Sequence, residues 1–492
     1  MAAIAAIAGE AEIAAEAVAA VRSRRAVDVS KFAPGWKHAT EASASVAVSG
    51  AEPEAVGEGG RMIKPNRFHR VTLPSGLTVI GEEVGSVRSL AIGVWVRVGA
   101  RHETPELGGM SHFLEHMVFK GSKRRDAYQI ALSLESVGGH LDAFTGREVT
   151  CFYARALEEQ LELAVDVLAD LTLAPRLNAA DVAKEKQVIA EEIHNYEDTP
   201  DDCVHDLFAD VVWSGHPLGN RILGSEASVT SFTPEQIAAY HTQHYTAPNL
   251  LVAIAGRFDW DRVVELVGRH FAGAPVGPAQ PAAPHRVAGD ARAEVIHHVR
   301  DLAQQYLCIG APGLPQEHPD RYALILLSTI LGGGMSSRLF QRVREQEGLA
   351  YSVYAYSDSY EDAGIFCASM SVHPSQGRKA VHLTLSEFDR IARDGTPEDE
   401  LESAKAQLKG SLLLGLESTS NRMHRIARNT LYSGRFVPVD ELVQTIEAVT
   451  AEDVRRVAVQ FLSRGRLALV ALGSSADRQF GADDLVLPAV VA

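Results

Sequence analysis

Cysteine is scarce. The four present in 492 residues, Cys151, Cys203, Cys308 and Cys367, stand far apart and form no C-x-x-C pair. That spacing fits isolated thiols in a reducing compartment better than a disulfide frame or a zinc knuckle. Positive charge is also short, with 47 Lys and Arg against 63 Asp and Glu and a net charge of -16. That balance argues against a nucleic-acid partner. It leaves two readings open, an acidic cavity for basic peptides or a solvated acidic surface. No run of about eighteen uninterrupted apolar residues occurs, so no membrane span is expected. The start of the chain lacks the basic residues of a secretory signal, and Glu10, Glu12 and Glu16 tell against an organellar presequence despite Arg22, Arg24 and Arg25. A cytoplasmic location is the expectation, with the mitochondrial matrix as the alternative.

What remains is an ordinary globular composition, 46% hydrophobic and 22% charged, over a length that suits two or more domains. Residues 1–64 are Ala-rich at first, then mix Ser, Gly, Pro and acids without periodicity, and read as a poorly ordered extension. Residues 69–80 read as a hairpin turning at Pro74, Ser75 and Gly76, and residues 89–98 as a strand. A helix is predicted over 126–137, extended chain over 140–156 on both sides of Gly146, and helices over 158–173 and 178–198. A Pro-, Ala- and Gly-rich stretch marks a linker over 275–288. It divides an N-terminal domain, 65–274, from a C-terminal one, 289–480, followed by a tail, 481–492.

The two halves echo each other. A helix opening at Thr233, Pro234 and Glu235, followed by the strand NLLVAIAG ending at Gly256, recurs 217 residues later as a helix opening at Thr450 and the strand RLALVALG ending at Gly473. Two elements matching at one offset argue for an internal duplication.

The strongest chemical signal lies in GMSHFLEHMVFKG, Gly109 to Gly121. Met110, Phe113, Leu114, Met117 and Val118 form the apolar stripe of a core-facing helix. On a neighbouring face His112 and His116 lie one turn apart with Glu115 beside them, in the pattern H-x-x-E-H. Two imidazoles so placed can share one Zn²⁺, which takes about four N, O or S ligands. A core helix that happens to carry two histidines is the plainer alternative. Residues 183–198, AKEKQVIAEEIHNYED, carry Glu185 and Glu192 seven apart on one helix face. Either could complete a His₂Glu set and leave a fourth position to water, or be merely solvated. The helix that should correspond in the second half, RYALILLSTIL at 321–331, has no such groups and can only pack.

These motifs, together with GHPLGNRILG at 215–224, resemble the M16 metallopeptidases, the inverzincins, over essentially residues 66–480. The likeness is nearest to the bacterial and mitochondrial processing-peptidase branch. It implies an α+β fold of two tandem homologous domains, each a mostly antiparallel sheet packed with helices, facing each other as a clamshell. It implies one zinc per chain on His112, His116 and Glu192, the last standing at the family's spacing of about seventy-six residues after the second histidine. By the same likeness Glu185 is the supporting glutamate and Glu115 the general base, taking a proton from the attacking water and passing it to the leaving amine.

The resemblance extends to substrate contacts. Arg344 and Tyr351, in REQEGLAY, match the arginine and tyrosine that the second domain brings to the peptide and to the developing oxyanion. Without it they read as a surface arginine and a core tyrosine. The three glycines at 332–334 read as a flexible turn, since no Lys-Ser or Lys-Thr follows to make a phosphate cradle. Ala143 and Phe144, in HLDAFTG, match the edge strand on which a substrate is laid by strand addition. Asp202 and Asp206 fall where processing peptidases receive a substrate arginine, although a longer Glu is common at the first position. The alternative is two ordinary acids of a helix. A peptide-hydrolysing zinc enzyme, alone or as a homodimer, is the expectation. A non-catalytic scaffold on the same fold and a catalytic subunit needing a partner chain are the alternatives.

Overall fold

The computed structural model describes residues 67–277, 293–462, 465–474 and 480–485. The expected extension over 1–64, most of the linker over 275–288 and the end of the tail lie outside them.

Strands β1 (Arg67–Thr72) and β2 (Thr78–Glu83) form the expected hairpin. Its turn places Gly76 at φ 93°, a left-handed conformation that glycine adopts without steric penalty. With β3 (Ser89–Val96), β4 (His140–Thr145), β5 (Thr150–Leu157) and β6 (Leu250–Gly256) they build a six-stranded sheet in the order β1-β2-β6-β3-β5-β4. The pair β2–β6 is parallel and the other neighbours are antiparallel. In the second half β7 (Glu294–Val299), β8 (Gln305–Gly313), β9 (Ala350–Ser359), β10 (Gly364–Val372) and β11 (Ala468–Gly473) follow the order β7-β11-β8-β10-β9. Again one pair, β7–β11, is parallel and the rest are antiparallel. The second sheet thus repeats the first without its opening strand.

Seven helices matter for the site and for the contact between halves: α1 (Met110–Val118), α2 (Ala179–Glu197), α3 (Pro200–Val212), α4 (Pro234–His244), α5 (Arg321–Gly332), α6 (Thr419–Ser433) and α7 (Ala451–Phe461). The repeat read from the sequence recurs in detail. Both α4 and α7 open on a capping box, Thr233 with Gln236 and Thr450 with Asp453, and each precedes the strand that pairs in parallel. The counterpart of α1 is α5, buried along nearly its whole length. Its last residue answers the expectation of a flexible glycine turn differently. A Cβ on Gly332 would stand 2.0 Å from the backbone nitrogen of Ala355 in β9, so this glycine permits a close helix–strand contact.

Strands such as β6, β10 and β11 are buried at every position, which requires cover on both sheet faces. Each half supplies one cover to the other. Val204, Leu207 and Phe208 of α3 pack on Cys308, Ile365, Cys367, Val470 and Leu472 of the second sheet. Met423, Ile426 and Ala427 of α6 pack on Ile80, Ala91, Trp95 and Leu251 of the first. Buried charges join the same boundary. The Arg101 side chain, 1% exposed, pairs with Glu148 of its own half and donates at 3.0 Å to Asp362 of the other. Tyr432 in α6 donates to Glu148 at 2.6 Å. Among the described residues no helix is long and apolar enough to cross a membrane.

Because Phe208 is fully buried between α3 and the opposite sheet, Phe208→Ala should lower the unfolding free energy by about 3–5 kcal/mol in chemical denaturation. A loss below about 1 kcal/mol would contradict this packing.

Candidate metal centre

Helix α1 begins at Gly109, whose φ of 89° and lack of a side chain leave the helix without a cap of its own. A Cβ there would stand 2.6 Å from the Leu223 carbonyl oxygen. The missing cap comes from Glu103, a buried residue whose carboxylate accepts from the backbone N–H of Gly109 at 2.7 Å and of Ser111 at 2.6 Å. A negative group suits a helix N-terminus. Burial still pushes the Glu103 pKa up to about 7, with the backbone and Ser111 bonds opposing the rise. The apolar stripe Met110, Phe113, Leu114, Met117 and Val118 is fully buried in the first core, which fixes the rotation of α1 about its axis.

Helix α2 is capped by Asn178, which accepts from the Asp181 N–H. Val182, Glu185, Ile189 and Ile193 form its buried face, and Glu192 stands beside that stripe. The two helices meet there. His112 Nε2 lies 3.8 Å from one Glu192 oxygen and His116 Nε2 lies 3.4 Å from the other. The donor atoms of His112, His116 and Glu192 all fall within 4.8 Å of one another, a set able to hold a metal ion. Ligands of a tetrahedral zinc stand roughly 3.3–3.5 Å apart at ordinary bond lengths, so the arrangement fits.

The protonation states of the three ligand candidates differ: burial works against charge on His116, yet Glu185, Glu192 and Glu115 together raise its pKa, and burial raises that of Glu192. Burial, then the nearby His116, holds the His112 pKa well below its ordinary value and keeps the ring in its neutral, ligating form. Glu185, 3% exposed, accepts from His116 Nδ1 at 3.2 Å and from Lys120 Nζ at 2.7 Å. Burial works against its charge, but these two partners outweigh it and hold the Glu185 pKa below the carboxylate range. Bonding at Nδ1 leaves His116 Nε2 facing Glu192, the orientation a metal ligand requires. Glu115 is outside the ligand set but within electrostatic range of His116 and Glu192, and it accepts from Thr145 Oγ1 at 2.6 Å. Burial pushes its pKa up to about 7, against the opposing influence of His116 and Thr145.

The other residues singled out in the sequence fall as follows. Ala143 and Phe144 lie on β4, the edge strand beyond β5, whose last residue is Thr145. Phe144 turns its ring toward Trp95, at 5.5 Å between centroids, and toward His424 of α6, at 5.8 Å. Asp206 accepts from Arg147 at 3.0 Å. The backbone oxygen of Asp202 accepts from Tyr196 at 3.1 Å. Arg344 and Tyr351 hold each other: the guanidinium donates to the Tyr351 carbonyl at 2.7 Å and lies 4.8 Å from the ring centroid. The Tyr351 side chain is 78% exposed, unlike the core tyrosine considered above. Neither residue has a bond to the His112–His116–Glu192 set.

Lys120, Thr145 and Glu103 were not singled out by the sequence. Lys120 had a usable signal, standing four residues after His116. Thr145 had none, because it reaches Glu115 across thirty residues, and Glu103 had none because its cap on Gly109, six residues on, depends on the path of an irregular loop.

A family model described as insulinase (peptidase family M16) matches residues 78–226, and one described as peptidase M16 inactive domain matches residues 231–408. The chain belongs to the M16 peptidase family. It is 40% identical over 453 residues to a protein of Streptomyces coelicolor named an uncharacterized zinc protease, covering 89% of this chain and 98% of that one. Proteins of the same description from Bacillus subtilis and Mycobacterium tuberculosis are 40% and 42% identical; each match covers 80% of this chain and 95% and 91% of the respective relative. In fold it is similar to a Helicobacter pylori protease, with a TM-score of 0.78 at 21% identity, covering 83% of this chain and 99% of that one. A peptidase M16 inactive domain from Pseudomonas fluorescens gives a TM-score of 0.77 at 20% identity, covering 84% of this chain and 99% of that one.

If Glu185 orients His116, Glu185→Ala should weaken zinc affinity by about 10–100-fold in chelator competition while the circular dichroism of the fold persists. Unchanged affinity would remove that role.

Proposed function

We propose that the chain is a zinc-dependent endopeptidase acting on extended peptides or presequences. The observation that carries this reading is the convergence of His112, His116 and Glu192 from two helices, with Glu115 beside them and outside the ligand set. The zinc-protease names of the bacterial relatives support it. One zinc at this centre, when bound, would supply Lewis acidity and bring a water's pKa near neutral. His112 and His116, through Nε2, and Glu192, through its carboxylate, would hold it.

The chain's own groups supply the rest. Glu115 keeps one oxygen bonded to Thr145 and offers the other to the attacking water. A carboxyl outside the ligand set, fixed by Thr145, can take a proton and return it to the leaving amine. Glu185 acts through His116 as a positioning residue. The open edge of β4 gives an extended substrate a row of backbone partners at Ala143 and Phe144, ending at Thr145 beside Glu115. With the Phe144 ring packed under α6, its contribution would be through the backbone. Arg344 and Tyr351 would reach the peptide and its oxyanion from the second half. Asp202 and Asp206 would receive a substrate arginine, which would have to share Asp206 with Arg147. We place the enzyme in the cytoplasm, as a self-sufficient chain or homodimer.

Glu115→Gln should keep the zinc and lose activity by about 10²–10⁴-fold on a peptide library. Full activity in the zinc-loaded variant would defeat the assignment. A purified chain without zinc or activity would favour the scaffold reading, and activity only with a second subunit the partner-dependent one. Asp202→Asn with Asp206→Asn should slow cleavage of arginine-containing peptides selectively; an equal loss on all peptides would contradict the arginine contact.

A further inference from the structure

A second set of soft donors lies where the two halves clasp. Cys308 on β8 and Cys367 on β10 occupy adjacent antiparallel strands, Cys308 opposite Ser369 and Cys367 opposite Gly310. The two thiols are therefore diagonal neighbours on one sheet face. That face is the one α3 covers, and His205 of α3 comes down onto it. The donor atoms of His205, Cys308 and Cys367 lie within 4.8 Å of one another, with 3.7 Å between Cys308 Sγ and His205 Nδ1. Both cysteines are fully buried.

We propose that His205, Cys308 and Cys367 bind one thiophilic divalent cation of the zinc class, which ties α3 of the first half to the sheet of the second. The spacing suits it, because a sulfur and a nitrogen on one tetrahedral zinc stand roughly 3.5 Å apart. The charge suits it as well. Two thiolates and a neutral imidazole exactly offset a divalent ion, so the loaded site is neutral in a place where net charge is costly. The imidazole is oriented for the task, with Nε2 bonded to Tyr354 Oη at 2.7 Å, which leaves Nδ1 toward the thiols. Without an ion Nδ1 also bonds Tyr356 Oη at 2.8 Å, and that hydroxyl would have to turn away for Nδ1 to become a ligand. Such an ion would also brace the main centre, since α3 starts at Pro200, directly after the helix that carries Glu192. Buried thiols are otherwise small apolar residues, and the site's signature must come from sulfur itself.

Cadmium gives that signature, because only a thiolate ligand produces the ultraviolet sulfur-to-cadmium charge-transfer band. The His112 centre contains no sulfur, so failure here leaves the peptidase reading intact. Titrating Cd²⁺ into the full-length His112→Gln, His116→Gln chain should develop the band to a stoichiometry of about one, with protection of two thiols from alkylation. Adding Cys367→Ala should reduce the band by at least half while circular dichroism stays unchanged. A folded chain that shows no thiolate band at saturating Cd²⁺, or one whose band survives Cys367→Ala in full, would overturn the proposal.

Discussion

The centre rests on one buried carboxylate. Glu185 receives His116 from α1 and Lys120 from the turn that follows it, and so locks two helices that are far apart in the chain into one register. A charged group this deep is costly unless it is fully paired. Here two partners satisfy it, and the pairing turns His116 Nε2 toward Glu192. Glu192, two turns further along α2, then faces both imidazoles without further adjustment. Two other anchors complete the frame: Glu103 caps the start of α1, and the buried stripe of α1 fixes its rotation.

The surroundings of this frame are held by reciprocity. Each half lends a helix to the far face of the other's sheet, so neither sheet is complete alone. Burying fully apolar strands on both faces stabilises the assembly by roughly 1.5–3 kcal/mol per large side chain. The ionic contacts among Arg101, Glu148 and Asp362 add specificity, because separating the halves would strand buried charges. Any opening of the clamshell must either carry these contacts intact or break them at a cost of several kcal/mol.

Much of this was legible in the residues. The stripe of α1, the one-turn spacing of His112 and His116 and the seven-residue spacing of Glu185 and Glu192 are local, periodic signals, and the helices obey them. So is the recurrence of α4–β6 as α7–β11, capping boxes included. The illegible parts are non-local. Nothing in the spacing of Cys308 and Cys367 says that β8 and β10 are neighbours, so thiols that read as isolated in sequence converge in space. The exchange of α3 and α6 was hidden for the same reason, because an amphipathic helix does not specify which sheet it covers. Gly332 read as flexible because glycine allows both freedom and close approach, and only the position of β9 distinguishes them.

The most direct measurement is anomalous diffraction at the zinc edge from crystals of the full chain. The account predicts a zinc peak bonded at about 2.0–2.2 Å to His112 Nε2, His116 Nε2 and a Glu192 oxygen. A well-ordered, zinc-equilibrated crystal with no peak between these three side chains would contradict it.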